Sequence, residues 1–178
     1  MNAFWSYFWP LAAAGLVIGA IAGSISFRRR SGGDDLKSHD QAKRRWVVLT
    51  AGIAASLAVT ALWSGPMGAA NLFVHRVERD ARITLDNYEM LQVAAHLHRS
   101  PLSRRLILHG QADDLQRSEL AAIMVLIPGV REARWSSDGG GLPLFAESAA
   151  VAILGFLFGL LLAYLVELRR RYNAQWNW

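Results

Sequence analysis

Apolar residues collect in three long runs, about Phe4 to Phe27, Trp46 to Trp63 and Leu144 to Val166, with polar segments between them. A helix crosses the hydrocarbon core of a bilayer with about 20 apolar residues, and none of the three runs carries Asp, Glu, Lys, Arg or His in its central turns. The pattern predicts membrane spans over 1–27, 46–64 and 144–167, joined by a polar loop at 28–45 and ending in a polar tail at 168–178. Residues 65–143 remain between the second and third spans. The expected fold class is membrane α-helical: three transmembrane helices with a small α/β domain outside the membrane between the second and the third.

Within 65–143 the periodicity changes several times. Phe73, Val77 and Ala81 share a helical face, with Leu72 beside it and Arg76, Arg79, Asp80 and Arg82 elsewhere. This predicts an amphipathic helix that lies on the membrane or continues the second span. A short strand is expected near Arg82 to Leu85. Asp86 followed by Glu89 has capping-box spacing, and Met90, Val93, Ala94 and Leu97 then predict a helix ending near Ser100-Pro101. From Arg104 the period is two: Leu106 and Leu108 face one way, Arg105, Ile107 and His109 the other. Gly110 closes that strand. Asp113, answered by Gln116, caps a helix with an apolar stripe of Leu120, Ile123, Met124 and Ile127, while Arg117 and Glu119 face water. Pro128-Gly129 stops it, Val130 to Trp135 forms a last strand with Ala133 and Trp135 on one face, and Ser136 to Leu142 is a glycine-rich tether.

Charge adds topology. The net charge of +5 is concentrated at the ends of the apolar runs. Arg28, Arg29, Arg30, Lys37, Lys43, Arg44 and Arg45 fill the first loop, and Arg169, Arg170 and Arg171 follow the third span. Lys and Arg in short loops mark the cytoplasmic side, and two crossings separate the clusters, so both give the same orientation: N-terminus out, C-terminus in. The first run lacks a positive n-region and precedes its arginines, so it is read as a retained span and not a signal peptide. In a bacterial inner membrane this puts the N-terminus and residues 65–143 in the periplasm.

The runs also carry small residues at four-residue spacing: Gly15, Gly19 and Gly23 in the first, Gly52 and Ser56 (then Thr60) in the second, Gly155 and Gly159 in the third. Such flat faces let helices approach closely, which makes these the expected helix-packing residues, in this chain or toward other membrane subunits. Trp5, Trp9, Trp46, Trp63, Trp176 and Trp178 flank the spans, where the headgroup layer favours indole.

Chemistry is sparse. There is no Cys, which removes thiolate catalysis, disulfides and Cys-ligated metals. His75, His96, His98 and His109 lie outside the spans, and no metal-ligand spacing joins them to carboxylates, so surface histidines are expected and no metal site. The apolar runs have no histidine to ligate haem and no buried carboxylate or Lys for a proton relay. The glycines of Ser136 to Leu142 lack the phosphate-loop spacing. No catalytic residue, cofactor or nucleic-acid partner is expected, and the chain does not read as an enzyme.

The stretch LILHGQADDLQRSELAAIMVLIPGVREARW resembles the BON domain of bacterial envelope proteins: an apolar strand closing on Gly, a helix with polar start and apolar stripe, then Gly-Val and a final strand. Leu106, Leu108, Gly110, Ile123, Gly129 and Val130 carry the likeness, which extends over about residues 86–135 if the helix expected after Asp86 is included. The resemblance implies a non-catalytic α/β module facing the periplasm. The leading expectation is therefore a membrane accessory or scaffold subunit whose spans pack with a larger complex, or with another copy of itself, and whose small domain docks on it. An envelope-binding module touching phospholipid or cell-wall material through Arg76, Arg79, Arg82, Arg99, Arg104 and Arg105 is the alternative, and a small transporter or channel comes third.

Overall fold

The computed structural model describes residues 2–27, 38–136 and 141–174, the side chains of 38–41 and 174 excepted. Part of the expected basic loop (28–37), the glycines of the tether at 139 and 140, and the tail with Trp176 and Trp178 lie outside the described residues. In chain order the elements are α1 (Ala3–Phe27), α2 (Ser38–Ser64), α3 (Ala69–Asn87), β1 (Ala94–Arg99), β2 (Leu102–His109), α4 (Asp114–Val125), β3 (Glu132–Arg134) and α5 (Leu144–Ala174). They form two compact units, Met1–Phe8 with Trp63–Glu147, and Trp9–Leu62 with Ser148–Trp178.

The protein is mostly helical, with a small three-stranded sheet between the second and third long apolar helices. Among the described residues three helices are long and apolar enough to cross a membrane: Ala3–Phe27, Ala42–Ser64 and Leu144–Asn173, with mean hydropathies of 1.8, 1.8 and 2.6. Two boundaries differ from expectation. Residues 38–45, read as loop, are the first turns of α2, and 168–174, read as tail, continue α5. Ala, Lys, Arg and Gln are good helix formers, and neither stretch holds a Gly or Pro to stop an adjoining helix.

The α/β unit is built on a sheet of order β1-β2-β3. β1 and β2 are antiparallel, with His96 opposite Ile107 and Leu97 opposite Leu106, and Ser100-Pro101 at the turn is cis. β3 runs parallel to β2, Arg105 opposite Glu132 and Leu106 opposite Ala133; such a pair requires a crossover, which α4 supplies. α3 packs on β1 and α4 on β3. Val77, Ala81, Leu85, Leu97, Leu106, Leu108 and Met124 form the solvent-free centre. Arg105 and Ile107, on the opposite face of β2 from Leu106 and Leu108, are buried as well.

The amphipathic helix is α3, and its apolar face of Phe73, Val74, Val77, Ala81 and Leu85 is buried in the protein, so that face packs as core. The strand expected at Arg82 to Leu85 is absent; α3 runs on to Asn87, held by an Arg82–Asp86 ion pair of 2.8 Å one turn apart. The helix expected over 90–97 is also absent. Asp86 and Glu89 end a helix instead of starting one: Glu89 takes a left-handed φ of 58°, and the Met90 N–H donates to the Leu85 carbonyl at 2.9 Å, a Schellman-type stop. The chain then enters β1.

The later elements follow the expected order. Gln116 Oε1 accepts from the Asp113 backbone N–H at 3.1 Å, the backward half of a capping box. Leu120, Met124 and Ile127 are buried and Ile123 half-buried, with Arg117 and Glu119 exposed. β3 is shorter than the expected strand, three residues inside Val130 to Trp135. Gly129 is required twice over: its φ is +114°, and a Cβ there would stand 2.8 Å from Val77 Cγ2 and 3.2 Å from the Phe73 ring, both on α3. Gly129→Ala is therefore expected to destabilise the protein by about 2–3 kcal/mol, combining left-handed strain with overpacking, read as a fall in melting temperature of the full chain in detergent.

Candidate functional site

In the helical unit the small residues of α1 and α5 meet each other. A side chain at Gly15 would run into the Ala152 carbonyl and one at Gly19 into that of Phe156. Reciprocally, a Cβ at Gly155 would lie 2.5 Å from the Ala12 carbonyl oxygen, and one at Gly159 would strike that of Leu16. At Gly23 a Cβ would come within 2.6 Å of the Ala163 methyl group. The backbones approach closely enough for Cα–H groups to face carbonyls, as in small-residue helix crossings. Gly52 brings α2 in: a Cβ there would be 2.6 Å from the Phe156 ring and 3.3 Å from Ala22. Ser56 and Thr60 are buried and donate to the carbonyls of Gly52 and Ser56, each at 3.0 Å. Their hydroxyls are thus satisfied within α2. These small faces contact this chain's own helices.

Trp5, Trp9 and Trp46 are exposed. Trp63 is half-buried and donates its indole N–H to the Tyr7 carbonyl at 3.2 Å, next to a 2.9 Å contact between the Tyr7 and Ser64 hydroxyls.

The densest polar feature lies in the α/β unit and escaped the sequence reading. Glu147, in the first turn of α5, accepts from Arg104 on β2 at 2.9 Å through one oxygen and from Arg131 at 3.0 Å through the other. Arg104 also donates Nε–H to the Gly129 carbonyl at 2.9 Å, and its guanidinium stands 4.9 Å from the Phe4 ring centroid and 5.8 Å from that of Phe8, inside cation–π range. A second carboxylate repeats the arrangement on the sheet: Glu132 receives Arg105 at 3.0 Å and pairs with Arg134. Burial alone would raise the Glu132 pKa; hydrogen bonds from Arg134 and Arg105, with their charges, outweigh it and hold the carboxyl below its ordinary range. The available signal for this cluster was Glu147 itself, an isolated charge at the edge of an apolar run and at a helix N-terminus, where carboxylates are favoured.

The basic residues expected to form an open binding surface are largely engaged. Arg82 pairs with Asp86, Arg99 with Glu78, Arg104 with Glu147 and Arg105 with Glu132, and Arg76 donates to Ser6 Oγ at 2.7 Å. Arg79 is exposed.

His96 and His98 fall on a strand and not on a helix, yet they do not converge. His98 Nδ1 lies 3.0 Å from the Pro101 carbonyl oxygen, and His96 stacks on His109 across the hairpin, with ring centroids 4.6 Å apart and planes 9° from parallel. Parallel stacking directs the ring nitrogens sideways, not at a shared ion. Among the described residues no group of three or more His, Cys, Asp or Glu is placed to hold a metal.

Known protein families, curated sequences and solved structures offer no match to this chain.

Two outcomes follow from the geometry. Glu147→Gln removes the carboxylate shared by Arg104 and Arg131. Leaving a part-buried guanidinium without its counter-charge is expected to cost about 2–3 kcal/mol, below the fully buried range because Arg131 is half exposed, measured by chemical denaturation against wild type. His96 titrates below its ordinary 6.5, through desolvation first and the His109 charge second, with Arg99 and His98 reinforcing and Glu78 opposing. As pH falls, the unfolded chain therefore takes up the proton first. The stability contributed by the neutral ring is whole above pH 6.5 and is lost as pH drops through the lower folded-state value. Replacing His96 with Gln should flatten that decline, seen in melting temperatures measured at about pH 7.5 and about pH 5.5.

Proposed function

We propose that the protein is a non-catalytic accessory or scaffold subunit of an integral membrane complex, oriented N-out and C-in in a bacterial inner membrane, with its α/β unit docked on the partner's periplasmic surface. The observation that carries this reading is a second apolar stripe on α4. Leu120 and Met124 face the core, but Leu115 and Leu126 are 71% and 80% exposed, and Val125 is 42% exposed. With the exposed Ala122 between them, Leu115 and Leu126 recur at i, i+7 and i+11, on one outward face. Single exposed leucines are ordinary, but an aligned set on a small domain marks a contact surface.

Use of the glycine faces within the chain moves the expected partner contact from those stripes to α4 and to the outward Leu and Phe side chains of α5. Support for a BON-like module comes from the element order: a helix, a strand pair, then helix and strand, with Gly110 and Gly129-Val130 at the expected turns. The first helix of that arrangement would be α3 and not the segment after Asp86. Pairing of four of the six candidate basic residues with carboxylates favours protein docking over a broad electrostatic contact with envelope lipid.

The test uses the full chain in its native membrane. A photo-crosslinker at position 115 or 126 should capture a membrane protein partner, and Leu115→Asp with Leu126→Asp should abolish co-purification while changing stability by no more than about 0.5 kcal/mol, as surface changes do. A control change at exposed Leu72 should leave co-purification intact. Retention of the partner by the double variant, or a lone monomer in mild detergent with no crosslinked species, would refute the reading.

A further inference from the structure

The sheet ends in two edges of different length: β3 has three residues, β1 has six. An edge strand turns backbone N–H and C=O groups away from its neighbour, where another strand can pair with them. At β1 two side chains of α3 occupy those groups. Glu78 accepts the Leu97 N–H at 3.1 Å, and Arg82 donates to the carbonyl of Val93, just before β1, at 3.2 Å. Leu97 thus gives its N–H to a side chain and not to β2. In an antiparallel pair the outward-turned residues alternate, which puts Val93, Ala95 and Leu97 in one outward series. Glu78 and Arg82 lie one turn apart on α3 and so share a face.

Both side chains are themselves held. Arg99 Nη2 lies 3.3 and 3.4 Å from the two Glu78 oxygens, and Arg82 pairs with Asp86 at 2.8 Å. Glu78 is 19% exposed and Arg99 66%, so the carboxylate is tucked against the strand with the guanidinium outside it. The register of β1 also shifts between Leu97 and Arg99, a local break of the kind that spoils pairing at an edge. An acceptor at one end and a donor at the other reproduce two of the hydrogen bonds that a neighbouring strand would make. Exposed ion pairs stabilise little, so these contacts are better explained by what they exclude. An identical strand is the partner such an edge fits: run antiparallel about a two-fold axis, the two copies set donors against acceptors.

We infer that Glu78 and Arg82 close the β1 edge against β1 of a second copy of this chain, and that removing both opens a strand-to-strand dimer. The Leu97 N–H and the Val93 carbonyl then pair with the second copy. One side chain is an anion and the other a cation, so deleting both leaves the net charge, and the repulsion between copies, as they were.

The experiment follows self-association of the purified full chain in detergent by sedimentation over a range of protein concentrations. Glu78→Ala with Arg82→Ala should associate at least about tenfold more tightly than wild type, the equivalent of one or two backbone hydrogen bonds gained. The Leu97 amide of that variant should exchange more slowly when associated than when dilute. Adding Ala95→Pro, which removes an outward N–H and puts proline on an edge, should return association to the wild-type level. Arg79→Ala, at an exposed position of the same helix, should leave it unchanged. Each single variant opens one end of the edge and should show a smaller gain, which carries the test if the double variant does not fold. No gain in any folded variant, a gain that Ala95→Pro leaves in place, or an equal gain from Arg79→Ala overturns the inference.

Discussion

Arg104 sits near the start of the central strand, and its guanidinium answers to the turn after α4, to the first turn of α5 and to two rings near the start of α1. Removing a guanidinium from water costs several kcal/mol unless its donors and its charge are both met. Here the Gly129 carbonyl and Glu147 meet the donors, while Glu147 and the π-faces of Phe4 and Phe8 meet the charge. Glu147 is favoured where it lies, because the N-terminal dipole of α5 attracts a carboxylate. Each group thus lowers the cost of burying the next. The segments that lead into two long apolar helices are fixed to the sheet by polar contacts with direction, whereas apolar packing alone would leave their register loose.

A different constraint governs the helical unit. Apolar helices in lipid gain no hydrophobic stabilisation by meeting, so contact depends on close packing. Gly15 and Gly19 on α1 interlock with Gly155 and Gly159 on α5, each glycine answering a carbonyl or backbone stretch of the other helix. A stripe consumed in this way is unavailable to another protein. The same sequence feature that points to helix association is thus accounted for within this chain.

The long elements were legible in the chain because their signals are redundant. Each apolar run is about as long as a membrane span requires, and α4 has a cap, a stripe and a Pro-Gly stop that agree. The error between Arg82 and Leu97 arose where two periods coincide. Val93 and Leu97, both buried, are four apart, which satisfies a strand's period of two and a helix's 3.6 equally. Asp86 and Glu89 then tipped the choice, since their spacing reads as a helix start although Glu89 adopts the left-handed conformation of a helix end. Tertiary packing decided it: β1 completes the edge of a sheet whose central strand must be covered. Pairs far apart in sequence, Arg104 with Glu147 and His96 with His109, leave no local periodicity and were invisible for that reason.

Charge shows the same limit from another side. Six arginines in 76–105 read along the chain as a basic surface, yet a count of charges carries no information about pairing. Folding brings Glu78, Asp86, Glu132 and Glu147 against four of them, and exposed pairs such as Arg82–Asp86 add only about 0.3–0.5 kcal/mol while cancelling the field that would attract an anionic surface. Around Glu147 one carboxylate serves two guanidinium groups, Arg104 and Arg131. A diffuse basic face would bind any anionic surface weakly and lose that binding in salt. Charges paired one by one act at short range, so the electrostatics of this domain are local and not a property of its face.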